Sequence, residues 1–147
     1  MKCIEIRDSM NEHFLSVTIF NLLSGQMNVF KKYNWSIYEL NATAQEKSDI
    51  NLLELRSRIF NSSSGLKVNF DELLEIMQQL DQVIDLILVA SGDEKKFTKF
   101  EDDNKWRDKY PIVIEIIDGA YWEVYSNDKE LIKNLSKFYQ DTKIRMS

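Results

Sequence analysis

Apolar and polar residues follow two rhythms along this chain, and the rhythm changes at identifiable places. "KCIEIR" at 2–7 alternates with a period of two, the pattern of a strand with one buried face. Cys3 falls on the face opposite Ile4 and Ile6. A helical spacing takes over at 9–24, with Phe14, Val17 and Leu22 on one broad apolar face and Gly25 at its end. Ser9 and Glu12 have capping-box spacing, in which two side chains satisfy two backbone N–H groups at once. "NWSIYELNA" at 34–42 predicts a second strand. The segment 43–67 has no single rhythm. "INLLELRSRIF" fits a helical turn or a strand, and "NSSSG" at 61–65 is a loop.

The second half is more sharply patterned. Asn69 and Glu72 have cap spacing, and Phe70, Leu73, Leu74, Met77 and Leu80 recur at the helical period, predicting a helix over 69–80. "QVIDLILVA" at 82–90 is apolar enough for a central strand. The charged run 91–110 interrupts the pattern, with room for a short helix around 102–109. Pro111 opens a hairpin over 112–125 that turns at Asp118-Gly119, because glycine accepts the positive φ such turns need. A two-residue loop there sets Ile116 opposite Tyr121, Glu115 opposite Trp122, Ile114 opposite Glu123 and Val113 opposite Val124. Asn127 and Glu130 cap a helix over 127–140 that buries Leu131, Ile132, Leu135, Phe138 and Tyr139. "KIRM" at 143–146 adds an edge strand. The expected fold is a single α+β domain over 1–147. A mostly antiparallel sheet, including the 112–125 β-hairpin, packs against about three helices (9–24, 69–80, 127–140).

Composition narrows the class. Hydrophobic residues make up 44% and charged residues 29%, as in ordinary soluble proteins. The apolar run "LILVA" at 86–90 is far shorter than the roughly 20 residues of a membrane-spanning helix. The first ten residues mix charges among their apolar positions, so they do not read as a secretory signal, and the expected compartment is the cytoplasm. One cysteine and one histidine exclude an internal disulfide and a thiolate zinc site. No glycine-rich phosphate loop is present, and no cofactor is expected.

Candidate chemistry is sparse. His13 sits inside the predicted first helix, and Cys3 on an N-terminal strand is a poor cradle for a nucleophile. Glu115 and Glu123 are the best pair for acid–base work, but the register above puts them on opposite faces. Asp118 is explained by its turn. "EDD" at 101–103 lacks the spaced oxygens of a cation loop. The chain therefore reads as a non-enzyme. The alternatives are a small enzyme using carboxylates or Cys3, whose sign is a deep pocket gathering Glu115, Glu123 or His13, and a regulatory domain binding a peptide at a sheet edge.

Charge and aromatic content point to a binding role. The net charge is −5, but residues 71–103 hold ten acids and three lysines, a net −7 that leaves the remainder at +2. That is the wrong sign for a nucleic-acid binder and the right sign for a basic partner. Trp35, Tyr38, Trp106, Tyr110, Tyr121, Trp122 and Tyr125 join eight phenylalanines, more than one core easily hides, and exposed aromatics anchor protein interfaces.

The acid-rich window 71–103 and the C-terminal "IEIIDGAYWEVYSNDKELIKNL" resemble the immunity proteins of bacterial polymorphic toxin systems, including contact-dependent growth inhibition. The resemblance covers about the last half of the chain. It implies tight association with one cognate toxin domain, often a basic nuclease, blocking its active site or substrate path; no nucleic-acid or membrane partner is expected. The expected partner-binding residues are the acids Asp93, Glu94, Glu101, Asp102 and Asp103, with Trp106 and Tyr110 as anchors.

Overall fold

The computed structural model describes residues 1–11, 14–15, 18–99 and 104–146. The strands are β1 (Lys2–Ile6), β2 (Ser9–Asn11), β3 (Phe14–Leu15), β4 (Asn34–Ala44), β5 (Leu66–Val68), β6 (Leu80–Ser91), β7 (Ile112–Ile116), β8 (Trp122–Ser126) and β9 (Thr142–Met146). The helices are α1 (Ile19–Gly25), α2 (Met27–Phe30), α3 (Leu52–Phe60), α4 (Phe70–Gln78) and α5 (Lys129–Phe138). Seven strands form one sheet in the order β5-β4-β6-β7-β8-β1-β9, and every neighbouring pair is antiparallel. β2 and β3 form a separate two-stranded sheet. The α+β class and the antiparallel sheet match the expectation, but the described residues carry five α-helices rather than about three. Among them, no helix is long and apolar enough to cross a membrane.

The first helix is shorter than its periodicity implied. Asp8 accepts the backbone N–H groups of Gln140 and Asp141, at 3.0 and 2.6 Å, which ties the chain beside β9 just where the helix was expected to start. The chain runs through β2 and β3, and α1 begins only at Ile19. Its capping box is formed by Thr18 and Asn21, and Ser9, the expected cap, lies in β2. Glu12, His13, Ser16 and Val17 lie outside the described residues. Near the other terminus, Asp128, not Asn127, caps α5 through the N–H groups of Glu130 and Leu131. The Asn69–Glu72 capping box on α4 is present as the sequence predicts.

One sheet face carries the main core. Ile4, Ile6, Ile37, Leu86, Leu88, Ile114, Ile116, Trp122 and Val124 meet Leu22, Leu23, Leu73, Met77, Leu131 and Leu135 from α1, α4 and α5. Trp35 is fully buried there, and its indole N–H donates to the Phe30 carbonyl at 2.9 Å, so burial leaves no polar group unpaired. The opposite face bears a smaller cluster of Cys3, Val89, Phe97, Tyr110, Val113 and Tyr125, with Trp106 packed against it. Tyr38, Phe97, Trp106 and Tyr110 stack or meet edge-on there with centroids 6.1–6.4 Å apart.

The hairpin register differs by one residue from the expected one. Ile116 pairs with Trp122, Glu115 with Glu123, Ile114 with Val124 and Val113 with Tyr125. Asp118 and Gly119 do take positive φ, at 57° and 65°. Their N–H groups, however, bond to β6, at Asp85 Oδ1 and the Ile84 carbonyl, so the tip leans on the neighbouring strand. The connection is five residues long instead of two. A one-residue slip moves every side chain to the other face. It puts Trp122 in the core and sets Glu123 beside Glu115.

Candidate functional site

Two features stand on the second face of the sheet. The first is a carboxylate row. Glu115, Glu123 and Glu5 are direct cross-strand neighbours on β7, β8 and β1. Three like charges in adjacent positions repel, and burial makes each costlier to ionise. Arginines resolve the conflict. Arg107 grips Glu115 with a two-pronged fork through Nε and Nη2. Arg145 bridges Glu5 and Glu123, and Arg7 adds a 3.1 Å contact to Glu5. The Tyr125 hydroxyl donates to Glu123 at 2.8 Å, and the Cys3 thiol approaches the same oxygen at 3.5 Å. Arg107 also lies 4.7 Å over the Tyr125 ring and 4.8 Å over the Trp106 ring.

These contacts set the chemistry of the row. Burial pushes the Glu123 carboxyl up, but the Arg145 guanidinium and the Tyr125 hydroxyl outweigh it and hold the group below the usual carboxylate value. A carboxylate so held is a poor proton donor. Burial, joined by the Glu123 carboxylate, pushes the Cys3 thiol up to about 12, so almost no thiolate exists at neutral pH. Burial and the hydrogen bond to Glu123 likewise raise Tyr125. The row therefore brings together the expected carboxylate pair and the cysteine, with arginines paired to both carboxylates and the thiol held protonated.

The second feature is an open cleft of about 820 Å³ between α3 and the second face. A bulge in β4 between Ile37 and Glu39 lets Tyr38 join the aromatic cluster while Glu39 lines the cleft. Asp85 and Ile87 of β6 complete the floor. Asn41 and the backbone N–H of Asp118 donate to Asp85, at 3.4 and 3.1 Å. Burial and the nearby Asp85 and Glu115 charges raise the Glu39 carboxyl. Trp106, Thr98 and Lys99 also line it. The Lys99 ammonium bonds to the Ile59 carbonyl, and burial lowers its pKa.

Helix α3 forms the outer wall and shows two apolar stripes. Asn51 caps it through the Glu54 N–H. Ile59, with Leu52 and Leu55 beside it, turns toward the core. Leu53, Arg56, Ser57 and Phe60 line the cleft at helical spacing. Leu53 is 78% exposed and Phe60 77%, so a second apolar stripe faces open space.

The described members of the expected binding set lie on two neighbouring segments, joined where the Tyr110 hydroxyl comes within 3.3 Å of the Lys96 carbonyl. Asp93 caps the short 3₁₀ turn Glu94–Lys96 through the Lys95 N–H, and Glu94 is exposed on that turn. Glu101, Asp102 and Asp103 lie outside the described residues. The short helix expected around 102–109 is a 3₁₀ turn, Trp106–Lys109. Trp106 is half-buried, stacks on Tyr38 and borders the cleft. Tyr110 is buried beneath it at 3% exposure, with its hydroxyl 2.8 Å from that of Tyr38. The other described acids of the window 71–103 are dispersed. Asp71 and Glu72 sit in the first turn of α4, where acids complement the helix dipole. Asp81 is the second residue of the long β6 strand and Asp93 lies two residues past its other end, so nearly the whole strand, roughly 33 Å at strand rise, separates them.

The sequence reading overlooked Leu53, Phe60, Glu39 and the three arginines. The α3 residues had a signal, since Asn51 and Glu54 have cap spacing and residues 53 and 60 lie seven apart. The arginine contacts depend on strand order and had none. No protein-family model, curated protein or solved structure matches this chain.

Proposed function

We propose that this chain is a binding protein that neutralises a cognate toxin domain by direct association, and that the toxin docks over the cleft beside α3. The observation that carries the reading is the exposed stripe of Leu53 and Phe60 facing Trp106 across an open cleft. Large apolar side chains exposed around a concavity are the composition of interface anchors. The carboxylate row supports binding over catalysis, because arginines already occupy its carboxylates and burial keeps its thiol protonated. The acids Asp93, Glu94, Glu101, Asp102 and Asp103 steer a basic partner at long range, and Trp106 anchors it. Tyr110 serves from below by fixing the Tyr38 ring on which Trp106 stacks. The cytoplasm is the compartment for this role.

The test pairs the chain with the product of the gene immediately upstream. Growth rescue on co-expression and capture of that product are expected. Phe60→Asp places a charge where a partner buries the ring, and should weaken capture by on the order of 30-fold or more, about 2 kcal/mol. Trp106→Ala should raise the dissociation rate, whereas neutralising Asp93 and Glu94 should slow association and flatten its salt dependence. A captured toxin whose affinity ignores both Phe60→Asp and Trp106→Ala would place the interface elsewhere. No rescue and no capture would remove the toxin reading.

A further inference from the structure

We infer that the free edge of β9 accepts an extended strand from a protein partner, one that alternates acidic and apolar residues. The inference does not rest on the toxin reading. β9 lies four strands from β6 in the sheet, roughly 19 Å from the cleft floor at ordinary strand spacing.

β9 closes one end of the sheet. Its inner edge pairs with β1 at all five positions, Thr142–Met146, without a bulge. Among the described residues no strand pairs with its outer edge. The opposite end of the sheet is unlike it. β5 has three residues, buries Leu66 and Val68, and lies against α3. Soluble proteins blunt an open edge with proline, bulges, short strands or charge. β9 has only charge: Lys143 and Arg145, both on the face of the carboxylate row.

The two faces of β9 specify what the edge can take. Toward the helices, Ile144 is 44% exposed and Met146 71%, and α5, which packs across β9, ends in Phe138, 64% exposed. These side chains flank the edge and present an apolar shelf. On the other face, Lys143 is exposed opposite Glu5, while Arg145 reaches inward to Glu5 and Glu123. An incoming strand meets cation, apolar, cation at 143, 144 and 145. Cross-strand neighbours of opposite charge stabilise a pair and like charges weaken it. A second copy of β9, paired antiparallel about Ile144, would set Lys143 against Arg145 of that copy, twice over. The edge therefore discriminates against its own copy and favours acid, apolar, acid. Main-chain hydrogen bonds supply the affinity of strand addition and the alternating side chains supply its specificity.

The probe is a fluorescein-labelled peptide of alternating glutamate and valine, compared with its lysine–valine counterpart by fluorescence anisotropy and amide exchange. The glutamate peptide should bind at least tenfold more tightly and slow exchange across 142–146. Lys143→Glu, which leaves one cation and one anion on that face, should abolish the preference. Met146→Asp, at a more exposed site still, should weaken both peptides and tests the apolar shelf on its own. Equal binding of the two peptides, or no change in exchange at 142–146, would overturn the proposal. So would sedimentation as a dimer with those amides already protected, which would make the occupant a second copy.

Discussion

Removing the Arg107 guanidinium should destabilise the protein more than almost any other single surface-side change. Glu115 is 2% exposed, and its carboxylate is held by the two-pronged Arg107 fork. Its cross-strand neighbour is another glutamate, Glu123. Breaking a buried pair by deleting one partner typically costs about 3–5 kcal/mol, because a desolvated charge is left behind. Arg107 is 29% exposed, so water can follow the cavity and the lower end applies, about 3 kcal/mol. Arg107→Met is the cleaner perturbation, since it keeps an unbranched apolar stem while removing the charge and its contacts with the Trp106 and Tyr125 rings. Glu115→Gln removes the other charge, and the double variant removes both. The double variant should recover much of the loss, giving a coupling energy of at least about 1.5 kcal/mol in a double-mutant cycle. Urea unfolding followed by tryptophan fluorescence reads all four proteins, with Trp106 reporting directly on the site. If Arg107→Met lost less than about 0.5 kcal/mol, or the two single effects simply added, the fork would not be what keeps a buried carboxylate tolerable.

Two further outcomes follow from the geometry. Gly65 has a φ of +71°, and a methyl group there would lie 2.6 Å from the Ile37 carbonyl oxygen. Gly65→Ala should cost about 3 kcal/mol, a fall of roughly 6–12 °C in Tm by thermal denaturation, while Gly92→Ala, in open space, should change little; equal Tm values would refute this. Because the Glu123 carboxyl is depressed in the folded protein, its stabilisation is present above the unfolded glutamate value of about 4.3 and lost as pH falls through the folded one. Glu123→Gln should therefore be less stable than the parent at pH 7, with the gap closing below about pH 4.3 in urea titrations, and a constant gap would contradict the assignment.

What was legible in the sequence was what local pattern determines. The α4 capping box, the central β6 strand, the edge strand and the helix after the hairpin all follow from short-range spacing. The errors arose where distant parts of the chain intervene. Asp8 is held by the backbone 132 residues away, which displaces the start of the first helix. The hairpin turn has the expected residues in the expected conformation, but bonds to β6 take its N–H groups, and the register moves by one. That single step decided whether Glu115 and Glu123 are strangers or neighbours. The candidate cleft was hidden for a similar reason: α3 lies in the segment with mixed rhythm, because two of its faces carry apolar residues and only one is buried.

The place of β1 in the sheet has a consequence for how the protein is made. β1 sits between β8 and β9, so its first partner lies about 120 residues downstream. At the ribosome's pace of roughly 5–20 residues per second, β1 waits about 6–24 s for that partner to be synthesised. Throughout the wait Ile4 and Ile6 have neither strand beside them. Closing so long a loop is also slow, which makes the last sheet pairings the natural bottleneck of folding. The nascent chain is thus most vulnerable to aggregation around β1, and a chaperone that acts on it would do most good by holding β1 until β8 and β9 have emerged.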